Sequence, residues 1–91
     1  MLLIVSYDIP DDKRRTKLAK KLCGFGKRVQ YSVFECDLTL KQLAELKTTI
    51  KKIIHTDDDS VRIYKLCQTC ADEITSYGPK LGWEEREVFI V

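Results

Sequence analysis

Arg28-Val29-Gln30-Tyr31-Ser32-Val33-Phe34-Glu35-Cys36-Asp37-Leu38 is the stretch on which the reading of this chain turns. Val29, Tyr31 and Val33 alternate to one side of an extended backbone, and Phe34, Cys36 and Leu38 then take the other parity. A slip of one residue moves every side chain to the opposite face, so the segment holds either a bulge or two short strands joined by a tight bend.

The flanks set that segment among helices. Upstream, Leu2–Tyr7 is an apolar, partly β-branched run that ends at Asp8 and predicts a strand. Pro10 closes it, and Asp11 or Asp12 can cap a helix from Lys13 to about Cys23. Leu18, Leu22 and Phe25 fall on one arc of that helix; Lys13, Lys17, Lys20 and Lys21 fall roughly opposite, with Arg14 and Arg15 at the flanks. Downstream, Thr39 caps a helix to about His55 with the stripe Leu43, Leu46, Ile50, Ile53 and Ile54. Asp57-Asp58-Asp59 is a polar loop, Val61–Cys67 a strand, residues 71–82 irregular, and Val88–Val91 a closing apolar strand.

The chain has 91 residues, 44% of them hydrophobic, which suits one domain over residues 1–91. Charged residues reach 33%, and the longest uncharged apolar stretch, Met1–Tyr7, falls far short of the ~20 residues that span a bilayer. It lacks the basic start of a signal peptide, so a small soluble cytoplasmic protein with no membrane partner is expected. Net charge is only +2, but residues 1–30 carry eight basic side chains against three acidic ones. A basic helix of that density is a candidate phosphate-binding face, with Arg14 and Arg15 among its cations. The alternative is a solvated helix face.

Two helices cover one face of a four- or five-stranded sheet, yet several strands carry apolar residues on both parities. With no third helix at hand, strand addition in a homodimer is the expected solution, with an edge strand folding back within the monomer the alternative. The cysteines at 23, 36, 67 and 70 are expected to be reduced thiols. Cys67-x-x-Cys70 reads as plain thiols, half a zinc site or a redox pair. There is one histidine, and no nucleophile elbow, phosphate-binding glycine loop or zinc-protease motif. Asp8 at a strand end remains, either a cap or turn former or a carboxylate that a two-fold axis could double into a Mg²⁺ site.

Tyr7-Asp8-Ile9, Asp12-Lys13-Arg14-Arg15, Arg28-Val29-Gln30-Tyr31-Ser32-Val33-Phe34-Glu35 and Asp59-Ser60-Val61-Arg62-Ile63-Tyr64 occur in that order. Together they resemble the second universal CRISPR-associated protein family, the small subunit of the spacer-acquisition machinery and a family of CRISPR-associated endoribonucleases. The likeness runs from the first strand to about Cys70. It implies an α+β fold: a ferredoxin-like βαββαβ sandwich with an extra C-terminal strand, homodimeric. It also implies that Asp8 faces its mate and holds Mg²⁺, with Mn²⁺ an alternative. Asp8 and Tyr7 are the implied catalytic pair, and Arg15, Arg28 and Phe34 join the nucleic-acid site. The expected activity is metal-dependent endonuclease cleavage of single-stranded RNA or double-stranded DNA in antiviral defence. A non-catalytic scaffold holding spacer DNA between CRISPR-associated integrase dimers is the alternative.

Overall fold

In β1 (Leu2–Asp8), Leu3, Val5 and Tyr7 are buried while Leu2, Ile4 and Ser6 are only half-buried and Asp8 is exposed, as the two-residue period of a strand requires. The computed structural model describes residues 1–78. Asp11 caps α1 (Asp12–Leu22) by accepting the Arg14 backbone N–H at 2.9 Å, and the helix ends one residue before Cys23. Phe25 therefore lies beyond the helix, half-buried against the core.

The parity switch at Val33 resolves into two strands. β2 (Lys27–Gln30) and β3 (Val33–Asp37) form a hairpin across Tyr31-Ser32, with a register shift between Arg28 and Gln30. Among the described residues no non-glycine residue has positive φ, so this hairpin does without the mirror-image turn common to two-residue loops. The irregularity at Val29 adds local twist in its place. Gly26 is fixed by the approach of this hairpin, since a Cβ there would fall 2.2 Å from the Glu35 carbonyl oxygen and 2.7 Å from Cys36 Sγ.

Thr39 and Gln42 form a reciprocal capping box at the start of α2 (Leu40–Ile53), with bonds of 2.9 and 3.2 Å. β4 (Ser60–Leu66) then pairs with β1 from Leu2↔Leu66 to Asp8↔Ser60. The antiparallel sheet runs β2-β3-β1-β4, the order of a ferredoxin-like βαββαβ sandwich, so the chain has the α+β fold expected.

One correction concerns the third helix. Gln68–Asp72 forms a short α3, where an irregular stretch was expected to begin at Ala71 and Cys67 to close the strand. Cys67 caps it and Gln68 Nε2 donates to Asp72 Oδ1 at 2.8 Å, local bonds that a sequence reading of the cysteines as ligands overlooks. α3 has no buried residue and packs at the end of β4, so it does not screen the sheet.

The core lies between α1, α2 and one sheet face: Leu18, Ala19 and Leu22 meet Leu46, Ile50 and Ile53 over Leu3, Val5, Tyr7, Phe34 and Cys36. The other face carries Leu2, Ile4 and Ser6 beside Tyr64 and Arg62 of β4 and Val33 and Glu35 of β3, all left half-buried or exposed. The expected strand Val88–Val91 lies outside the described residues. Among those described, no helix is long and apolar enough to cross a membrane.

Candidate nucleic-acid interface

Asp8 closes β1 at its C-terminal end, opposite Ser60, on the sheet face away from the helices. Its carboxylate is exposed and makes no hydrogen bond or ion pair among the described residues. Along that face the side chains grade from apolar Leu2, Ile4 and Leu66 to polar Ser6, Ser60 and Arg62 beside Asp8. Arg62 Nη1 donates to the Tyr64 hydroxyl at 3.3 Å.

Tyr7 does not share this site. Strand alternation turns its side chain to the opposite, helix-covered face, where it is 5% exposed. Its ring stacks on Phe34 with centroids 6.3 Å apart, and its hydroxyl donates to the Tyr31 carbonyl oxygen at 3.3 Å. Burial pushes the Tyr7 phenol up, and Arg28 and Arg15 only partly offset that. A buried phenol held in its protonated form suits packing and hydrogen-bond donation, not proton abstraction at Asp8.

Arg28 and Tyr31 belong to the same cluster. Arg28 Nε and Nη2 donate to the Tyr31 carbonyl oxygen at 3.0 and 2.7 Å, and the guanidinium lies 5.5 Å from the Tyr31 ring and 5.6 Å from the Phe34 ring. One carbonyl at the hairpin tip thus accepts from Tyr7 and Arg28 together. The Tyr31 ring itself is 67% exposed. Phe34, expected in the nucleic-acid site, has no exposed surface; it anchors the core from which Arg28 and Tyr31 project.

The two α1 arginines serve different ends. Arg15 Nη1 donates to the Ile9 carbonyl at 3.0 Å and its Nη2 pairs with Asp12, so it clamps the loop that leaves Asp8. Arg14 crosses to Asp59, with Nε to Oδ2 at 2.8 Å and Nη2 to Oδ1 at 3.1 Å. That guanidinium ties α1 to the loop after α2, a role different from the phosphate contact expected of it. Lys13, Lys17, Lys20 and Lys21 are exposed, and Lys13, Lys17 and Lys20 line an open groove of about 400 Å³ with Asp12 and Thr16.

Sequence reading missed two residues. Tyr31 was legible as one position of the alternating stretch and of the Arg28–Glu35 motif, with no role attached, whereas its carbonyl and ring organise the hairpin tip. Asp59 opens the Asp59–Tyr64 motif, but nothing in that motif marks it as the buried partner of Arg14.

For a divalent cation the chemistry of the donor fits in kind. Asp8 offers hard carboxylate oxygen, as Mg²⁺ prefers, but each chain supplies one such donor, and no group of three acidic, histidine or cysteine ligands occurs among the described residues.

The family model described as CRISPR associated protein Cas2 matches residues 1–74. A Synechocystis protein named CRISPR-associated endoribonuclease Cas2 3 is 44% identical over 77 residues, covering 85% of this chain and 84% of that one. The fold is similar to the crystal structure of Streptococcus pyogenes Cas2, with TM-score 0.77 and 32% identity over 86% of this chain and all of that one. It is also similar to a chain of a partial Cas6-RT-Cas1–Cas2 complex, with TM-score 0.71 and 28% identity over 82% of this chain and 88% of that one.

Proposed function

Because the chain belongs to the Cas2 family of CRISPR-associated proteins, we propose that it acts in CRISPR spacer acquisition and is an Asp8-dependent endonuclease, with single-stranded RNA the favoured substrate. The relative named an endoribonuclease supports RNA over duplex DNA. The carrying observation is the exposed Asp8 carboxylate at a strand end, without a partner among the described residues and fixed by pairing with Ser60 and by the Arg15 clamp on the following loop.

The working unit is a homodimer. The half-buried Leu2 and Ile4 and the exposed Tyr64 gain by burial against a second copy, at ~25 cal/mol per Å² of apolar surface. Joining two such faces brings two Asp8 carboxylates into one site and supplies the donor a single chain lacks. Asp8 of each copy would hold Mg²⁺, or Mn²⁺ in its place. When bound, the metal supplies charge neutralisation at the phosphodiester and a more acidic water.

The chain's own groups do the rest. Lys13, Lys17 and Lys20 attract the phosphate backbone along α1, and Arg28 with the exposed Tyr31 ring offers a cation and a stacking surface at the hairpin tip. Arg15 keeps the β1–α1 loop in place beside Asp8. RNA cleavage by native and Asp8→Asn protein with and without Mg²⁺ tests the reading.

A second reading has its own support. One carboxylate per chain is sparse for a nuclease, and a similar chain occurs in a complex that includes Cas1. In that reading the dimer holds spacer DNA and bridges integrase dimers without cutting. Integration assays that retain full activity with Asp8→Asn protein distinguish it.

A further inference from the structure

Cys67 and Cys70 take no part in the sheet, the basic groove or the Asp8 face. Cys67 leaves β4 with φ −72° and ψ 166° and caps α3, its Sγ accepting the Cys70 backbone N–H at 3.4 Å. That bond sets Cys67 Sγ 3.4 Å from the Cys70 backbone nitrogen, and closure needs the two Cβ atoms, ~5–6 Å apart for residues three apart on a helix, to draw in to the ~3.5–4.5 Å of a disulfide. Both thiols are exposed.

The remaining cysteines lack this arrangement. Cys36 is fully buried, and burial pushes its thiol up to about 11, which leaves it inert and Cys23 without an intrachain partner in it. A zinc site would need further ligands, and no three-ligand group occurs among the described residues.

We propose that Cys67 and Cys70 form a redox-active dithiol that closes to an intrachain disulfide by exchange with a low-molecular-weight disulfide of the glutathione class. Cys67 attacks: the hydrogen bond from the Cys70 backbone, and then the Cys70 thiol, hold its thiol below the usual range. Its thiolate sulfur bonds to one sulfur of the small disulfide, the S–S bond breaks, and one small thiolate leaves and takes up a proton. Cys70, whose thiol the neighbouring Cys67 holds up, is the resolving group. Once deprotonated it attacks Cys67 Sγ, releases the second small thiolate and leaves the Cys67–Cys70 bridge. Two protein thiols are oxidised and one small disulfide is reduced to two thiols. The bridge closes the first turn of α3 directly after β4, the strand whose Ser60 pairs with Asp8.

The test uses the full chain, reduced, then equilibrated in glutathione buffers of graded ratio, acid-quenched, unfolded, alkylated and mapped by mass spectrometry. Cys67 and Cys70 should lose alkylation together and appear as one bridged peptide, with Cys23 and Cys36 still alkylated. Cys70→Ser should accumulate a glutathionyl group on Cys67. Cys67→Ser should slow the first exchange at the remaining α3 cysteine by roughly threefold or more, because the thiolate fraction falls faster than nucleophilicity rises. Thiols that stay reduced across the series, bridges only between chains, or equal rates in the two serine variants would overturn the proposal. None of these outcomes depends on nuclease activity.

Discussion

Arg14 of α1 and Asp59 of the loop after α2 form a two-pronged ion pair, with Nε to Oδ2 at 2.8 Å and Nη2 to Oδ1 at 3.1 Å, and the Asp59 side chain fully buried beneath it. The same carboxylate accepts the His55 backbone N–H at 2.8 Å, so one group ends α2, shapes the approach to β4 and ties α1 to both. Bidentate pairing with a buried acid is the geometry in which arginine outperforms lysine.

The bond to Arg14, helped by the His55 N–H, holds the Asp59 carboxyl below the usual range. A carboxyl lowered in the folded state adds stability that is complete above its unfolded value of about 3.9 and fades as pH falls through the folded one. Asp59→Asn should therefore lower Tm by roughly 5 °C or more at pH 7, with the native and variant curves converging below about pH 4. Thermal melts across pH check this; a constant gap at every pH would show that the charge contributes nothing.

Phe34→Ala should destabilise the chain by about 3–5 kcal/mol, as expected for a buried ring. Phe34→Leu retains most of the packing and should leave RNA affinity within about twofold. Denaturant unfolding and filter binding on the same samples separate the roles, since a ring that stacked directly on a base would cost ~1–3 kcal/mol of binding when lost.

Replacing Lys13, Lys17 and Lys20 together with Gln should weaken RNA binding and flatten its salt dependence. Each lost phosphate contact reduces the slope of log affinity against log salt by ~0.7 for single strands, so the triple variant should lose roughly 2. A slope equal to the native one would make this groove a solvated helix face.

Ile4→Glu places a charge at the centre of the sheet face that the described residues leave uncovered, between Glu35 and Tyr64. Sedimentation should show native dimer and variant monomer, with the far-ultraviolet spectrum unchanged. A variant that remains dimeric would place the interface elsewhere.

Strands and helices were legible because burial follows period 2 in β1 and a helical stripe in α2, and both are visible in the residues themselves. The parity switch at Val33 announced a bend, but choosing between bulge and hairpin requires the register, and the chain uses both. Several strands read as apolar on both parities, and the described residues leave the second sheet face half-buried or exposed. Side-chain partnership was less legible. Tyr7 and Asp8 are adjacent in sequence and resemble one site, yet strand pleating sends them to opposite faces. Arg14 and Arg15 look alike, yet a helix separates neighbours by 100°, directing Arg14 to Asp59 and Arg15 to Ile9. The α3 cap escaped notice because a cysteine pair is read for metals and redox chemistry before it is read for backbone bonds.

The most direct measurement of the central claim is a time course of single-stranded RNA cleavage by native and Asp8→Asn protein, in Mg²⁺ and in chelator. Native protein should cut only with metal. Asp8→Asn should cut at least about a hundredfold more slowly, since a metal's stabilisation of a phosphodiester transition state is worth several kcal/mol, while Tm and sedimentation stay unchanged. Cleavage that persists undiminished in Asp8→Asn protein would contradict the assignment of this carboxylate.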